Sequence, residues 1–404
     1  MMRGFLMKTA NGSDRFFRCA GILAVAAITM ASGCGHTRRT PIFAPYPVKG
    51  TLVQTLSSFD NPEGAIFSAD GRCVFISNSA ELGMKEKGFH WVEKGGYVSK
   101  LAVQPDGTLA MVNDKLITGL TAPMGMAVLP VATATFPAGT VFVCTGGCSL
   151  AQADGTPIRD RQRLDTKLVA FSPDGAPLGE IGMAAGSAFA KASGAPVAQP
   201  NALAFDPDGT LYVTDTGNGG ASFRPKLRTK PGVYQVANTS LDALARGQDP
   251  PKPLRFVPIA GGPDGIDVCP ADRSIHVNTV GMAAGVEDPA TGGMYRLTDF
   301  YFEKGKAPEP FARGLGALDG LTFAAGKRLD TQVMPQKAIL VTAQDAMPTR
   351  LVIVPSIYFT SGGADIAALQ MPDGTKLLIV PDPCWLSPND GKNPVYVVKL
   401  PARF

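Results

Sequence analysis

Six copies of one short phrase recur along this chain, and a repeat of that kind restricts the possible folds more than any other feature of the sequence. Each copy opens with a polar or small residue flanked by Pro or Gly. It runs on as an alternating apolar strand, turns, and returns as a second strand. The copies start at residues 62–67 (PEGAIF), 123–128 (PMGMAV), 200–205 (PNALAF), 263–268 (PDGIDV), 318–323 (LDGLTF) and, more weakly, 363–368 (GADIAA). Their returning strands read 73–78, 140–144, 211–215, 275–278, 338–342 and 377–380. The key positions are Glu63, Met124, Asn201, Asp264, Asp319 and Ala364, spaced 61, 77, 63, 55 and 45 residues apart. Unequal spacing suits a ring whose loops vary while its cores do not. The gaps hold further strand-like pairs, such as 96–101 with 109–112 and 232–236 with 254–257. Period-two alternation, β-branched and aromatic residues and Asp-Gly turns all read as strands. Four strands in each of six copies predict an all-β, six-bladed β-propeller.

Strand accounting predicts how the ring closes. After the sixth copy only residues 394–399 (PVYVVK) can form another strand, so that blade is one strand short. The run 48–56 (VKGTLVQTL) precedes the first copy and has no other partner. It is expected to complete the last blade, removing the open edge that a linear array would expose. Gly 46 and Pro 34, with only 18% charged and 45% hydrophobic residues, fit many short strands joined by tight turns and exclude disorder. A net charge of +4 with no basic stripe argues against nucleic acid as a partner.

The first residues read as an export signal. Arg3, Lys8, Arg15 and Arg18 make a basic leader, and 19–30 (CAGILAVAAITM) is an apolar run too short to span a bilayer comfortably. It ends in Ala31-Ser32-Gly33-Cys34, which resembles the bacterial lipobox. That resemblance implies a signal peptide over 1–33, diacylglycerol on Cys34, a short tether over 34–46 and the propeller over 47–404. The expected location is the cell envelope, on the periplasmic side of the outer membrane. About 370 residues then remain, a length that a repeat architecture accommodates. Besides Cys34, Cys73, Cys144, Cys148, Cys269 and Cys384 would face an oxidising compartment, and their odd number leaves at least one free. A local disulfide between Cys144 and Cys148 is expected, against the alternative of two buried thiols.

Hairpin geometry places the chemistry. In an antiparallel pair, the start of the first strand and the end of the second lie at one end. If the first strand is innermost, Glu63, Met124, Asn201, Asp264, Asp319 and Ala364 converge on one mouth of the central channel. Ser77, Asn78, Asp215, Asn278 and Thr342 should arrive there from the second strands. Three carboxylates and a carboxamide in a narrow funnel repel one another unless a cation sits among them, and oxygen donors suit calcium, magnesium or manganese, with zinc a further candidate.

At these residues the chain resembles the senescence marker protein/gluconolactonase (regucalcin-like) family. It is more distantly similar to paraoxonases, strictosidine synthase-like proteins and NHL-like repeat proteins. The resemblance implies that Glu63, Asn201 and Asp264 bind one divalent metal. It also implies hydrolysis of a lactone or ester, with Asp264, or Asp319 beside it, as general base. Two positions depart from the family: Met124 stands where a polar residue contacts substrate, and Asp319 is not a usual ligand. The alternative is a non-catalytic envelope propeller that binds a small ligand or a protein partner.

Other polar residues read as structural. Asp70, Asp208 and Asp373 precede Gly in hairpin turns at the far end. His276 stands mid-strand and is expected to pack between blades. The insertion 80–94, with His90 and Trp91, either lids the mouth or decorates it. Trp385 either walls the mouth or packs on the rim, and Arg161 and Arg163 are expected in solvent.

Overall fold

The structure is a computed structural model. It describes residues 44–45, 47 and 49–404, except 83–89, 148–149, 153–155, 157–164, 218–230, 282–291, 335, 344–347, 349, 353, 355–356, 358, 360–361 and 384–392. The signal, Cys34, Cys148, Arg161, Arg163, Cys384 and Trp385 lie outside the described residues.

Six four-stranded antiparallel sheets follow one another along the chain. Blade one is Pro62–Phe67, Cys73–Asn78, Gly96–Val103 and Leu109–Leu120. Blade two is Met126–Val128, Val141–Thr145, Lys167–Phe171 and Pro177–Gly182. Blade three is Pro200–Phe205, Leu211–Asp215, Gly232–Val236 and Arg255–Pro258. Blade four is Pro263–Val268, Ile275–Thr279, Gly293–Leu297 and Ala312–Arg313. Blade five is Ala317–Ala324, Lys327–Met334, Ala338–Thr342 and Arg350–Val352, with Ala44–Pro45 added in parallel to its outer strand. Blade six takes Ala367–Gln370, Lys376–Pro381 and Asn393–Leu400 from the C-terminal part and Thr51–Phe59 from the N-terminal part.

The predicted closure is present. Thr51–Phe59 pairs antiparallel with Asn393–Leu400, from Thr51 opposite Lys399 to Phe59 opposite Asn393. One strand assignment is corrected in blade five. Residues 338–342 were expected as the second strand, but Lys327–Met334 intervenes and Ala338–Thr342 is third. Its sequence, KRLDTQVM, mixes charges into a strand that is buried on both faces, which obscured the alternation.

Packing between blades makes the core. Six clusters of buried apolar residues lie one at each seam of the ring. At the closing seam Ala65, Ile76 and Leu101 of blade one meet Leu377, Ile379, Val395 and Val397 of blade six. Each such Val, Leu or Ile side chain contributes ~1.5–3 kcal/mol when fully buried. Edge-to-face rings cross the seams, as Phe75 meets Phe171 at 6.0 Å and Phe142 meets Phe205 at 5.4 Å.

The seam between blades four and five differs. Its apolar cluster is the smallest of the six, around Leu315, Leu318 and Leu340. Beside it lies a buried polar network. The guanidinium of Arg328, 1% exposed, donates to both carboxylate oxygens of Asp330 at 2.7–3.1 Å and to Val277 O at 3.3 Å. It meets His276 Nδ1 at 3.3 Å, and Asn278 Nδ2 donates to Asp330 Oδ1 at 3.1 Å.

The far-end turns match expectation. Asp70, Asp208 and Asp373 are exposed. Asp70 and Asp373 accept hydrogen bonds within their own turns, and Asp208 pairs with Arg273. Gly209, at φ +80°, takes the left-handed conformation that the turn requires. Glu81–Leu82 and His90–Val92 of the long insertion join Leu150–Ala151 in a small three-stranded sheet.

Candidate functional site at the mouth of the ring

A repeated hydrogen-bond tie sets the six key positions side by side. In five blades a buried side chain near the end of the second strand ties to its own inner strand and reaches to the next blade. Ser77 Oγ accepts from Gly64 N at 2.7 Å and donates to Met124 O at 2.7 Å. Thr214 Oγ1 accepts from Ala202 N and donates to Asp264 O, both at 2.8 Å. Asn278 accepts from Gly265 N at 2.8 Å and donates to Gly320 O at 3.1 Å. Thr331 Oγ1 accepts from Gly320 N at 2.7 Å and donates to Ala364 O at 2.6 Å. In blade two the group is a thiol, and Cys144 Sγ donates to Asn201 O at 2.8 Å. The ring closes where Asp365 N donates to Glu63 O at 3.1 Å.

This pattern corrects two expectations. Thr342 lies on a third strand, and Thr331 stands in the place assigned to it. Cys144 is a free, fully buried thiol engaged with two carbonyls, not half of a disulfide with Cys148. Asn78 and Asp215 are also committed to backbone. Asn78 Oδ1 accepts from Asp60 N, while Asp215 accepts from Ala198, Gln199 and Gly217 N. Burial, only partly offset by those amides, lifts Asp215 to about 6. His276 packs as expected. Burial first, and the Arg328 charge second, hold it neutral at a pKa of about 3.

The inner strands share a second irregularity. Their pairing register slips at the key residue in four blades: between Pro62 and Ala65, Pro200 and Leu203, Pro263 and Ile266, and Leu318 and Leu321. A bulge of this kind re-aims a side chain. The four affected positions are Glu63, Asn201, Asp264 and Asp319. In blades two and six the inner strand starts beyond Met124 and Ala364, at Met126 and Ala367.

The key residues are deeply enclosed. Glu63, Asp264 and Asp319 are 8%, 4% and 7% exposed, Met124 is buried and Asn201 half-buried. Asp264 Oδ1 is buried with no hydrogen-bond partner. Burial first, then the neighbouring Glu63 and Asp365 charges, push Asp264 well above the usual carboxylate range. Asp319 is raised in the same way, by burial and then by Asp264 and Asp365. Asp365, missed in the sequence because Ala364 occupies the key position, rises to about 7.

Among the described residues no three of His, Cys, Asp and Glu stand together as a preassembled metal group. The expected trio of Glu63, Asn201 and Asp264 contains only two such residues and an amide. Its donors are all oxygen, and the orphaned Asp264 oxygen lacks the partner that a buried carboxylate needs. These residues fit a hard divalent cation.

Comparison with known proteins places the architecture. Among solved structures, a protein of unknown function from Dyadobacter fermentans superposes with a TM-score of 0.53 at 11% identity, over 88% of this chain and all of its own. A gluconolactonase from Xanthomonas campestris gives 0.49 at 15% identity, covering 90% of this chain and 99% of that one. The Malassezia sympodialis allergen Mala s 1 gives 0.48 at 14% identity, over 86% and 96%. The likeness is one of fold. No protein-family profile matches the chain, and no curated protein matches it.

Proposed function

We propose that this chain is a cation-dependent hydrolase of a lactone or ester, held in the bacterial cell envelope through a lipid on Cys34. The observation that carries the reading is the buried, unpartnered Asp264 oxygen in a cup of convergent oxygen donors. Glu63, Asn201 and Asp264 would hold the cation. When bound, a divalent cation polarises an ester carbonyl and acidifies an attacking water. A carboxylate oxygen of Asp264, or of Asp319 beside it, accepts the proton of that water. Burial and the neighbouring carboxylates raise both in the cation-free protein, and a bound cation would lower them again. Met124 is buried in the apolar cluster at the seam of blades two and three. The resemblance of the repeats to the gluconolactonase family supplies the reaction class, and the Xanthomonas neighbour is described as a gluconolactonase.

A panel of sugar lactones, aliphatic lactones and aryl esters tests this. Hydrolysis is expected to need added cation, to vanish in Asp264→Ala, and to survive in Asp208→Ala at the far end. Met124 also favours a second reading, a propeller that binds a ligand without turning it over, because an apolar residue stands at the key position of blade two. A parent protein that hydrolyses nothing on the panel with any cation supports that second reading.

A further inference from the structure

We propose that Asn278, oriented by the buried Arg328–Asp330 pair, is the positioning residue that sets Asp264 and Asp319 beside each other at the mouth. The assignment rests on the hydrolytic reading above and deepens it.

Three observations carry it. First, one amide grips both inner strands directly after the two carboxylates. Asn278 Oδ1 accepts from Gly265 N at 2.8 Å, and Asn278 Nδ2 donates to Gly320 O at 3.1 Å. Gly265 follows Asp264 in the chain, and Gly320 follows Asp319. The strands touch there, since a Cβ on Gly265 would run into Asp319 O. Secondly, Asn278 is the one carboxamide among the five ties. The hydroxyls of Ser77, Thr214 and Thr331 accept and donate through a single oxygen. A carboxamide separates the two roles. A reversed Asn278 would set its NH2 against Gly265 N–H and its oxygen against Gly320 O. Thirdly, the surroundings fix its direction. Asp330 Oδ1 accepts from Asn278 Nδ2 at 3.1 Å, and a carboxylate can only accept. Arg328 holds both Asp330 oxygens and is itself held by Val277 O and His276 Nδ1. Ser274 Oγ donates to Asp272 at 2.6 Å and so accepts from His276 Nε2 at 3.1 Å, which leaves Nδ1 as the acceptor that faces Arg328.

The alternation of strands supplies this arrangement. His276 and Asn278 share one face of Ile275–Thr279, and Arg328 and Asp330 share one face of Lys327–Met334. All four side chains are buried. A buried ion pair exchanged for apolar groups of similar volume is often neutral for stability. What apolar groups lack is the acceptor that orients Asn278. A misplacement of 1 Å at a reacting group costs about 100-fold in rate.

Kinetics with phenyl acetate and glucono-δ-lactone as probes test the assignment in full-length variants. Asn278→Ala and the apolar replacement Arg328→Met with Asp330→Leu are each expected to lose about tenfold or more in kcat, with KM changed less than about threefold. Adding Asn278→Thr to the apolar replacement is expected to recover most of that loss, because a hydroxyl needs no orienting partner. Absence of recovery overturns the assignment, since a pair that merely holds the seam is not replaced by a threonine on the next blade. Undiminished kcat in Asn278→Ala overturns it as well. If the apolar replacement does not melt cooperatively, Asn278→Ala and Asn278→Thr are compared in the parent, and equal losses overturn it. A parent that hydrolyses neither probe removes the reading beneath, and amide exchange at Gly265 then decides the positioning. Exchange about tenfold faster in the apolar replacement, and slowed again by Asn278→Thr, is the expected result; exchange as in the parent overturns the assignment.

Discussion

Asp208 and Asp264 look alike in the sequence, each an Asp before Gly beside a strand, yet they have opposite fates. Asp208 is exposed in a far-end turn and pairs with Arg273, while Asp264 is buried at the mouth with an unpartnered oxygen. Position within the repeat told them apart, because the phrase opens at one end of the hairpin and turns at the other. What position could not show was the tie made by Ser77, Thr214, Asn278 and Thr331, which depends on contacts between blades. The buried Arg328 was also illegible, since Lys327-Arg328 reads as solvated charge and its partners His276 and Val277 lie one blade away. Arg328→Ala is expected to cost about 3–5 kcal/mol, because it leaves Asp330 as an uncompensated buried charge. Chemical denaturation measures this, and a loss under about 1 kcal/mol would contradict the account of that seam. The carboxyls also set a pH dependence. Asp365, at about 7 in the fold against 3.8, gives a contribution that is full below 3.8 and lost as pH rises through about 7. His276, at about 3 against 6.5, gives one present above 6.5 and lost as pH falls. Above about pH 6.5 only the carboxyls still act, so the melting temperature of cation-free protein is expected to fall from about pH 6.5 to about pH 8. A rise over that window would count against their burial.

At the level of elements, the closing strand was legible and the second strand of blade five was not. Thr51–Phe59 was found by counting, since one blade lacked a strand and one strand lacked a blade. Lys327–Met334 was passed over because charged residues interrupt its apolar alternation, and their burial follows from a network that spans two blades. The closing strand carries its own prediction. Removing residues 48–56 takes away most of a strand paired with Asn393–Leu400 and opens the ring at its seam. Thermal melting of that truncated chain is expected to be much lower or to lose cooperativity. Melting at the parent's temperature would mean that the strand does not lock the ring.

For the whole molecule, six seams hold six blades in register, and residues 63, 201, 264 and 319 share one position in the register of their inner strands. The fold was legible because every copy repeats the same strand pattern. The key positions were legible in the repeat, and their burial and the unpaired Asp264 oxygen were not, since burial belongs to the assembled ring. The envelope reading rests on the sequence before the propeller. Cys34→Ala is expected to move the protein from the membrane fraction to a soluble or unprocessed form, and unchanged fractionation would contradict the lipid anchor. The central claim is that the cup exists to hold a cation. Titration calorimetry of the parent and of Asp264→Ala with calcium, magnesium, manganese and zinc tests it most directly. The account predicts one bound ion in the parent for at least one of these metals and none in Asp264→Ala. A parent that binds none of the four, or an Asp264→Ala variant that binds as the parent does, would contradict it.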